Sequence, residues 1–186
     1  AAPTLDGRVE EWPWQDPGRT IAIAQPPDGP AFHPAPARAC AAWDDTTLYL
    51  AVRVAVPAGT ALRGGIDFAS CDGVELSLRA PGGPLWVLWG STDGALRAIP
   101  VGDTTPAQSE ALESLVRYQA QVTPTEWTCE WALPLAALGL DTARERALRF
   151  NLGLHLVARQ AWLAWQATGG PFYDVDQAGD LALEPA

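Results

Sequence analysis

The chain has 186 residues, 48% of them hydrophobic, which suits one domain with a real core. No window approaches the roughly 18 to 20 continuous apolar residues that a spanning helix needs, so direct membrane insertion is not expected. A formal net charge of −10 and a pI near 4.5 set the chain against phosphate backbones and anionic membrane surfaces, which removes nucleic acid from the expected partners.

Residue usage carries two further signals. All 12 basic residues are Arg, Met is absent, Asn151 is the only asparagine and there are 17 prolines. That depletion of labile residues and stiffening of loops is associated with heat-stable proteins, and a G+C-rich genome gives part of the same bias. The opening "AAPTLDG" lacks methionine and is rich in small residues, which fits a processed chain whose leader has gone and gives an extracellular or periplasmic expectation.

In chain order, the first long periodic segment follows "ARACAAWDDTT". Leu48, Leu50, Val52, Val54 and Val56 share one face of an extended chain, with Tyr49, Ala51, Arg53 and Ala55 on the other, which predicts a strand with one buried face. Asp44 to Thr47 read as the hairpin turn before it, since short polar side chains bond nearby backbone. "DGVELSLRA" repeats the alternation, with Val74, Leu76 and Leu78 inward and Glu75, Ser77 and Arg79 outward. "PLWVLWG", "VRYQAQV" and "EWTCEWALP" follow as strands, and "TTPAQSEALESLV" adds a short helix or a mobile loop. "PLAALGL" reads as a helical turn opened by Pro134 and closed by Gly139. "LRFNLGLHLV" places Leu148, Phe150, Leu152, Leu154 and Leu156 inward and Arg149, Asn151, Gly153 and His155 outward, and "AWLAWQA" and "GDLALE" complete the set. Eight or more short strands with little helix predict an all-β, antiparallel β-sandwich, one domain over residues 1–186, with one or two helical turns.

Chemistry-bearing residues are sparse. Cys40, Cys71 and Cys129 are too far apart for a CxxC pair, and their odd number leaves at least one thiol unpaired; one disulfide or buried free thiols both remain open. Cys129 shares its strand phase with Trp127, Trp131 and Leu133, which predicts an inert core thiol. No G-x-S-x-G elbow exists, the serine of "GSTDG" being misplaced, and neither His33 nor His155 sits in a catalytic motif, so an enzyme is not expected. "DVDQAGD" gathers Asp174, Asp176 and Asp180, which reads either as a hydrated acidic loop or as oxygen ligands for a hard cation.

The order "TLDGRVEEW", "WDDTTLYLAVRV", "CDGVELSL", "EWTCEWALPLAALGL", "LRFNLGLHL" and "GGPFYDVDQAGDLAL" resembles the family 9 carbohydrate-binding modules and their DOMON-like relatives across nearly the whole chain. The resemblance implies a jelly-roll-like β-sandwich, an extracellular setting, a glycan partner and Ca²⁺ at Asp174, Asp176 and Asp180. It carries the family's sugar-binding glutamate onto Glu75 and its last-loop aromatic onto Phe172. A second family Trp corresponds to Ala69, a strand glutamine to Gly153 and a last-loop Asn to a position near Gly169, so half of the site is replaced.

Sugars stack their C–H faces on flat rings and bond their hydroxyls to charged or amide groups. Trp86, Trp89 and Trp165 are therefore the expected stand-ins for the missing ring, from a set that also includes Trp12, Trp14 and Trp162. Two alternatives stand beside the oligo- or polysaccharide reading. One is a structural or assembly domain of a larger extracellular complex that has lost sugar binding. The other is a haem b subunit of the DOMON type, for which the usual Met and Lys ligands are missing and only His33 and His155 are available.

Overall fold

A computed structural model describes residues 2–184. Among these residues eleven strands run in chain order as β1 (Thr20–Ile23), β2 (Ala37–Trp43), β3 (Thr47–Ala55), β4 (Gly73–Arg79), β5 (Leu85–Ser91), β6 (Leu96–Ile99), β7 (Arg117–Val122), β8 (Glu126–Pro134), β9 (Ala147–Leu156), β10 (Ala161–Ala164) and β11 (Gly179–Ala182), with one α-helix, α1 (Pro106–Glu113), before β7. The first sheet has the order β1-β2-β3-β8-β7 and the second β10-β9-β4-β5-β6, with β11 also paired to β9. Every pairing is antiparallel, so the molecule is the expected β-sandwich.

The two inner faces are the ones the period of two selects. Leu48, Leu50 and Val52 of β3 meet Leu76 and Leu78 of β4 and Leu152 of β9 in one cluster, all at most 1% exposed. Trp131 lies against Tyr118 with ring centroids 4.5 Å apart, and the approach requires glycine at Gly90, where a Cβ would overlap both rings. One seam of the sandwich is closed by backbone: Ala164 of β10 exchanges hydrogen bonds with Gln25, just past β1, at 2.7 and 2.9 Å.

The outer faces differ from the sequence expectation, which left them to solvent. Tyr49 and Ala51 are buried because the N-terminal segment lays Val9, Trp12 and Trp14 over the first sheet. Glu130 of β8 holds that segment down, accepting hydrogen bonds from Trp12 Nε1 at 2.9 Å and from the amides of Asp6 and Gly7 at 3.0 and 2.8 Å. Asp44 is the turn it was expected to be, taking the Thr46 and Thr47 amides on Oδ1 at 2.8 and 2.9 Å. The "TTPAQSEALE" segment resolves to helix α1. Thr105 and Gln108 form a capping box there, with Pro106 in the first turn. Residues 135–139 form successive turns without reaching a full helix.

Cys40, Cys71 and Cys129 are all unpaired and buried. Cys129 lies fully within the core, and burial pushes its thiol up to about 12. A thiol reagent is expected to leave Cys129 unmodified in the folded protein and to modify it within minutes in denaturant; fast native labelling, read by mass spectrometry of the modified peptide, contradicts this placement.

Candidate functional site on the outer face of the second sheet

Glu75 stands on β4 pointing away from the core, between Trp89 of β5 and Gly153 of β9 in register. Its flanks explain its environment. Gly73, two residues before it, has no side chain, and the Trp89 indole lies in the space that a Cβ would take. Gly153 is filled in the same way by the ring of Phe172. The glutamine expected at Gly153 therefore has no room, because the loop aromatic occupies its place.

The loop that carries Phe172 is anchored by the chain's single asparagine. Asn151 Nδ2 donates to the carbonyls of Gln166 and Phe172 at 3.1 and 3.0 Å, and its Oδ1 accepts from Gln166 N at 3.2 Å. Farther along, Val175 sits on Leu85 and Val87. The result is a loop pressed onto the sheet, and Phe172 is 7% exposed, not the freely presented ring expected of a loop aromatic.

Trp162 of β10 joins these groups from the side. It stacks flat on His155, with centroids 4.0 Å apart and planes 9° from parallel. It also lies 6.0 Å from Phe172, 6.3 Å from Trp89 and 6.5 Å from Phe68. His155 is fixed by donating from Nδ1 to the Cys71 carbonyl at 2.9 Å, which holds the ring under Trp162. His33 is exposed on the loop after β1.

Glu75 itself is 8% exposed, and among the described residues its one hydrogen bond comes from Ser77 Oγ at 3.4 Å. Burial raises its carboxyl to about 7, with Ser77 opposing weakly. A carboxylate this deeply placed ordinarily has several partners, and here most of its acceptor capacity is free.

The other expected residues separate into three groups. Trp89 belongs to the cluster, wholly buried beneath Phe68 and Trp162, with Nε1 donating to Gly65 O at 3.1 Å. Trp86 faces the opposite way: it has the phase of Leu88, packs in the core and donates to the Leu138 carbonyl at 3.3 Å. Trp165 packs on Phe150 and lines a cavity of about 330 Å³ at the edge between the sheets, with Trp43 and Leu50. Neither Trp86 nor Trp165 reaches Glu75's face as a platform. Sequence reasoning placed Trp162 only in the wider set, because its role depends on the pairing of Trp162 with His155 across β9 and β10.

The acidic loop does not fit a calcium ion. Asp176 pairs with Arg79 at 2.8 Å and Asp180 with Arg149 at 3.4 Å, so two of the three carboxylates are turned to arginines on neighbouring strands. Among the described residues, no three His, Cys, Asp or Glu side chains converge as a metal site. The melting temperature is accordingly expected to be the same in millimolar calcium and in excess chelator; a rise with calcium concentration contradicts this geometry.

Comparison with solved structures settles the architecture. A family 9 carbohydrate-binding module from Caldicellulosiruptor kristjanssonii, solved with glucose, superposes with a TM-score of 0.69 over 100% of this chain and 93% of its own, at 15% identity. The fold is that of a family 9 carbohydrate-binding module. The cellotriose complex of a family 9 module from the same organism matches with a TM-score of 0.66 over 98% of this chain and 89% of its own, at 14% identity. A Bacteroides uniformis protein, named as a proposed carbohydrate binder, gives a TM-score of 0.69 over 99% and 95% at 14% identity. No protein-family model matches the sequence, and no curated protein matches it. In the family 9 module fold seen here, the Glu75 face is covered by the segment between β10 and β11.

Proposed function

We propose that the protein is a non-catalytic carbohydrate-binding module, acting outside the cytoplasm, that holds a saccharide against Trp162 and Phe172 with hydroxyls bonded to Glu75. The observation that carries this reading is Glu75: a buried carboxylate among aromatic rings with a single 3.4 Å hydrogen bond. Such a group costs stability, and a hydroxyl-rich ligand supplies the donors it lacks. The half-buried Trp162 ring offers the flat apolar surface on which a pyranose stacks. Gly169 and Gly170 precede Phe172, which lets that ring shift for a ligand without disturbing a strand. The family 9 fold supports the same function, since the solved neighbours are modules holding glucose and cellotriose.

Trp162→Ala is expected to weaken saccharide binding by about 1–3 kcal/mol, the worth of one aromatic stacking platform, and to lower stability as well, because the ring also packs on His155, Trp89, Phe68 and Phe172. Calorimetry with gluco-, xylo- and manno-oligosaccharides measures the change, and near-ultraviolet circular dichroism checks the fold. Absence of heat for the parent with every series, together with no retention on any polysaccharide column, contradicts the reading and favours a structural domain of a larger extracellular assembly.

A further inference from the structure

The aromatic face continues past Trp89. Arg97 of β6 stands beside Trp89 in register, so Gly153, Glu75, Trp89 and Arg97 form one row across β9, β4, β5 and β6. With neighbouring strands ~4.8 Å apart, that row is about 14 Å long, well beyond one pyranose ring. At its far end a groove of about 520 Å³ opens between the 66–68 loop, β6 and α1, lined by Ile66, Phe68, Arg97, Ser109, Glu110 and Glu113.

Phe68 belongs to both regions. Its ring touches Trp89 and Trp162, each with centroids 6.5 Å away, and it also forms the near wall of the groove. Phe68 and Ile66 are each 47% exposed, the kind of exposed apolar surface that a folded protein keeps for contact. The opposite wall presents Arg97 and Glu110 to solvent, groups that bond hydroxyls. Glu113 is already engaged, accepting the Ala98 amide at 2.8 Å, and so fixes α1 against β6. A rigid wall, an exposed ring and charged groups thus continue the Glu75 row in one direction.

We propose that the protein binds an internal stretch of an extended, uncharged saccharide chain, laid from Trp162 across Phe68 into the groove between β6 and α1. A monosaccharide or a chain end bound at Glu75 leaves Phe68 and the groove unused. The net charge of −10 sets the surface against uronate-rich or sulfated chains. This inference rests on the saccharide reading above and adds the mode of binding to it.

The test is calorimetry of the parent with gluco-, xylo- and manno-oligosaccharides from disaccharide to hexasaccharide, each hexasaccharide also being used after borohydride reduction of its terminal ring. Affinity is expected to rise about tenfold from disaccharide to hexasaccharide, as one further stacked ring implies, and the reduced hexasaccharide is expected to bind as tightly as the unreduced one. Phe68→Ala is expected to bring the hexasaccharide down to the parent's disaccharide affinity, with unfolding curves confirming that this exposed side chain is dispensable for folding. Equal affinity at all lengths, or loss of binding on reduction of the terminal ring, overturns the extended-chain mode and leaves saccharide binding standing. No binding by any member of the series overturns both.

Discussion

Glu75→Gln is expected to stabilise the protein by about 3 kcal/mol at pH 8 and to change its stability little at pH 4. The carboxyl is raised from 4.5 to about 7 because burial between Trp89 and the Phe172-filled Gly153 position penalises its charged form. Below pH 4.5 the folded and unfolded chains both carry the proton, and Glu75 is neutral in each. Between pH 4.5 and about 7 the unfolded chain releases the proton while the folded one keeps it, so stability falls as pH rises through that window. Above pH 7 the full cost is present, and at ~1.4 kcal/mol per pH unit it comes to about 3 kcal/mol. Glutamine keeps the shape and has no charge to desolvate. Glu130, whose carboxyl burial also raises, titrates alike in both proteins and cancels in their difference. Urea unfolding of the pair from pH 4 to pH 8 measures the effect. Curves that stay parallel across the range contradict the burial of an unpartnered carboxylate.

Glu130→Ala is expected to cost about 3–5 kcal/mol and to release the N-terminal segment. Three donors meet this one carboxylate, the Trp12 indole and the amides of Asp6 and Gly7, and each is left without its partner when the acceptor goes, at about 1–3 kcal/mol apiece before relaxation. Release also uncovers Tyr49 and Ala51, which the segment keeps buried. Trp12→Phe removes one donor and keeps most of the packing, so its expected cost is nearer 1 kcal/mol. Denaturant midpoints give the two values, and hydrogen exchange at residues 6–14 separates local release from global unfolding. Equal costs for the two variants contradict the clasp.

Much of the sandwich is legible in the chain because alternation identifies which side of each strand faces the core. Leu48 through Val56, Val74 through Leu78 and Leu148 through Leu156 all take the phase their spacing predicts. Alternation says nothing of what lies on the other side. Tyr49 and Gly153 sit in outward phase and are nevertheless covered, one by a segment about 40 residues earlier in the sequence and the other by a loop about 20 residues later. β1 and β6, "TIAI" and "LRAI", are not among the strands expected from sequence: each is four residues long and merges into a Pro- or Gly-containing loop without a longer alternating run around it.

The site divides along the same line. Glu75 and Phe172 come from the family resemblance, and the structure brings them to one face. Trp162 emerges only from the β9 and β10 register, and Asn151 from the fold of the loop it anchors. A glycine inside the apolar run of β9 is the one sequence signal for Phe172's position, since mid-strand glycine marks close approach of another group. The three aspartates of the last loop suggest a cation in sequence because the arginines that pair with two of them lie far from them along the chain.

The most direct test of saccharide binding at the Glu75 face is a nuclear magnetic resonance titration that follows the nine indole Nε1–H signals as cello-, xylo- or manno-oligosaccharide is added. The Trp162 and Trp89 signals are expected to move with saccharide concentration, while those of the core residues Trp127 and Trp131 stay fixed. Movement confined to Trp43 and Trp165 at the other edge of the sandwich, or no movement of any indole with any of the sugars, contradicts the assignment.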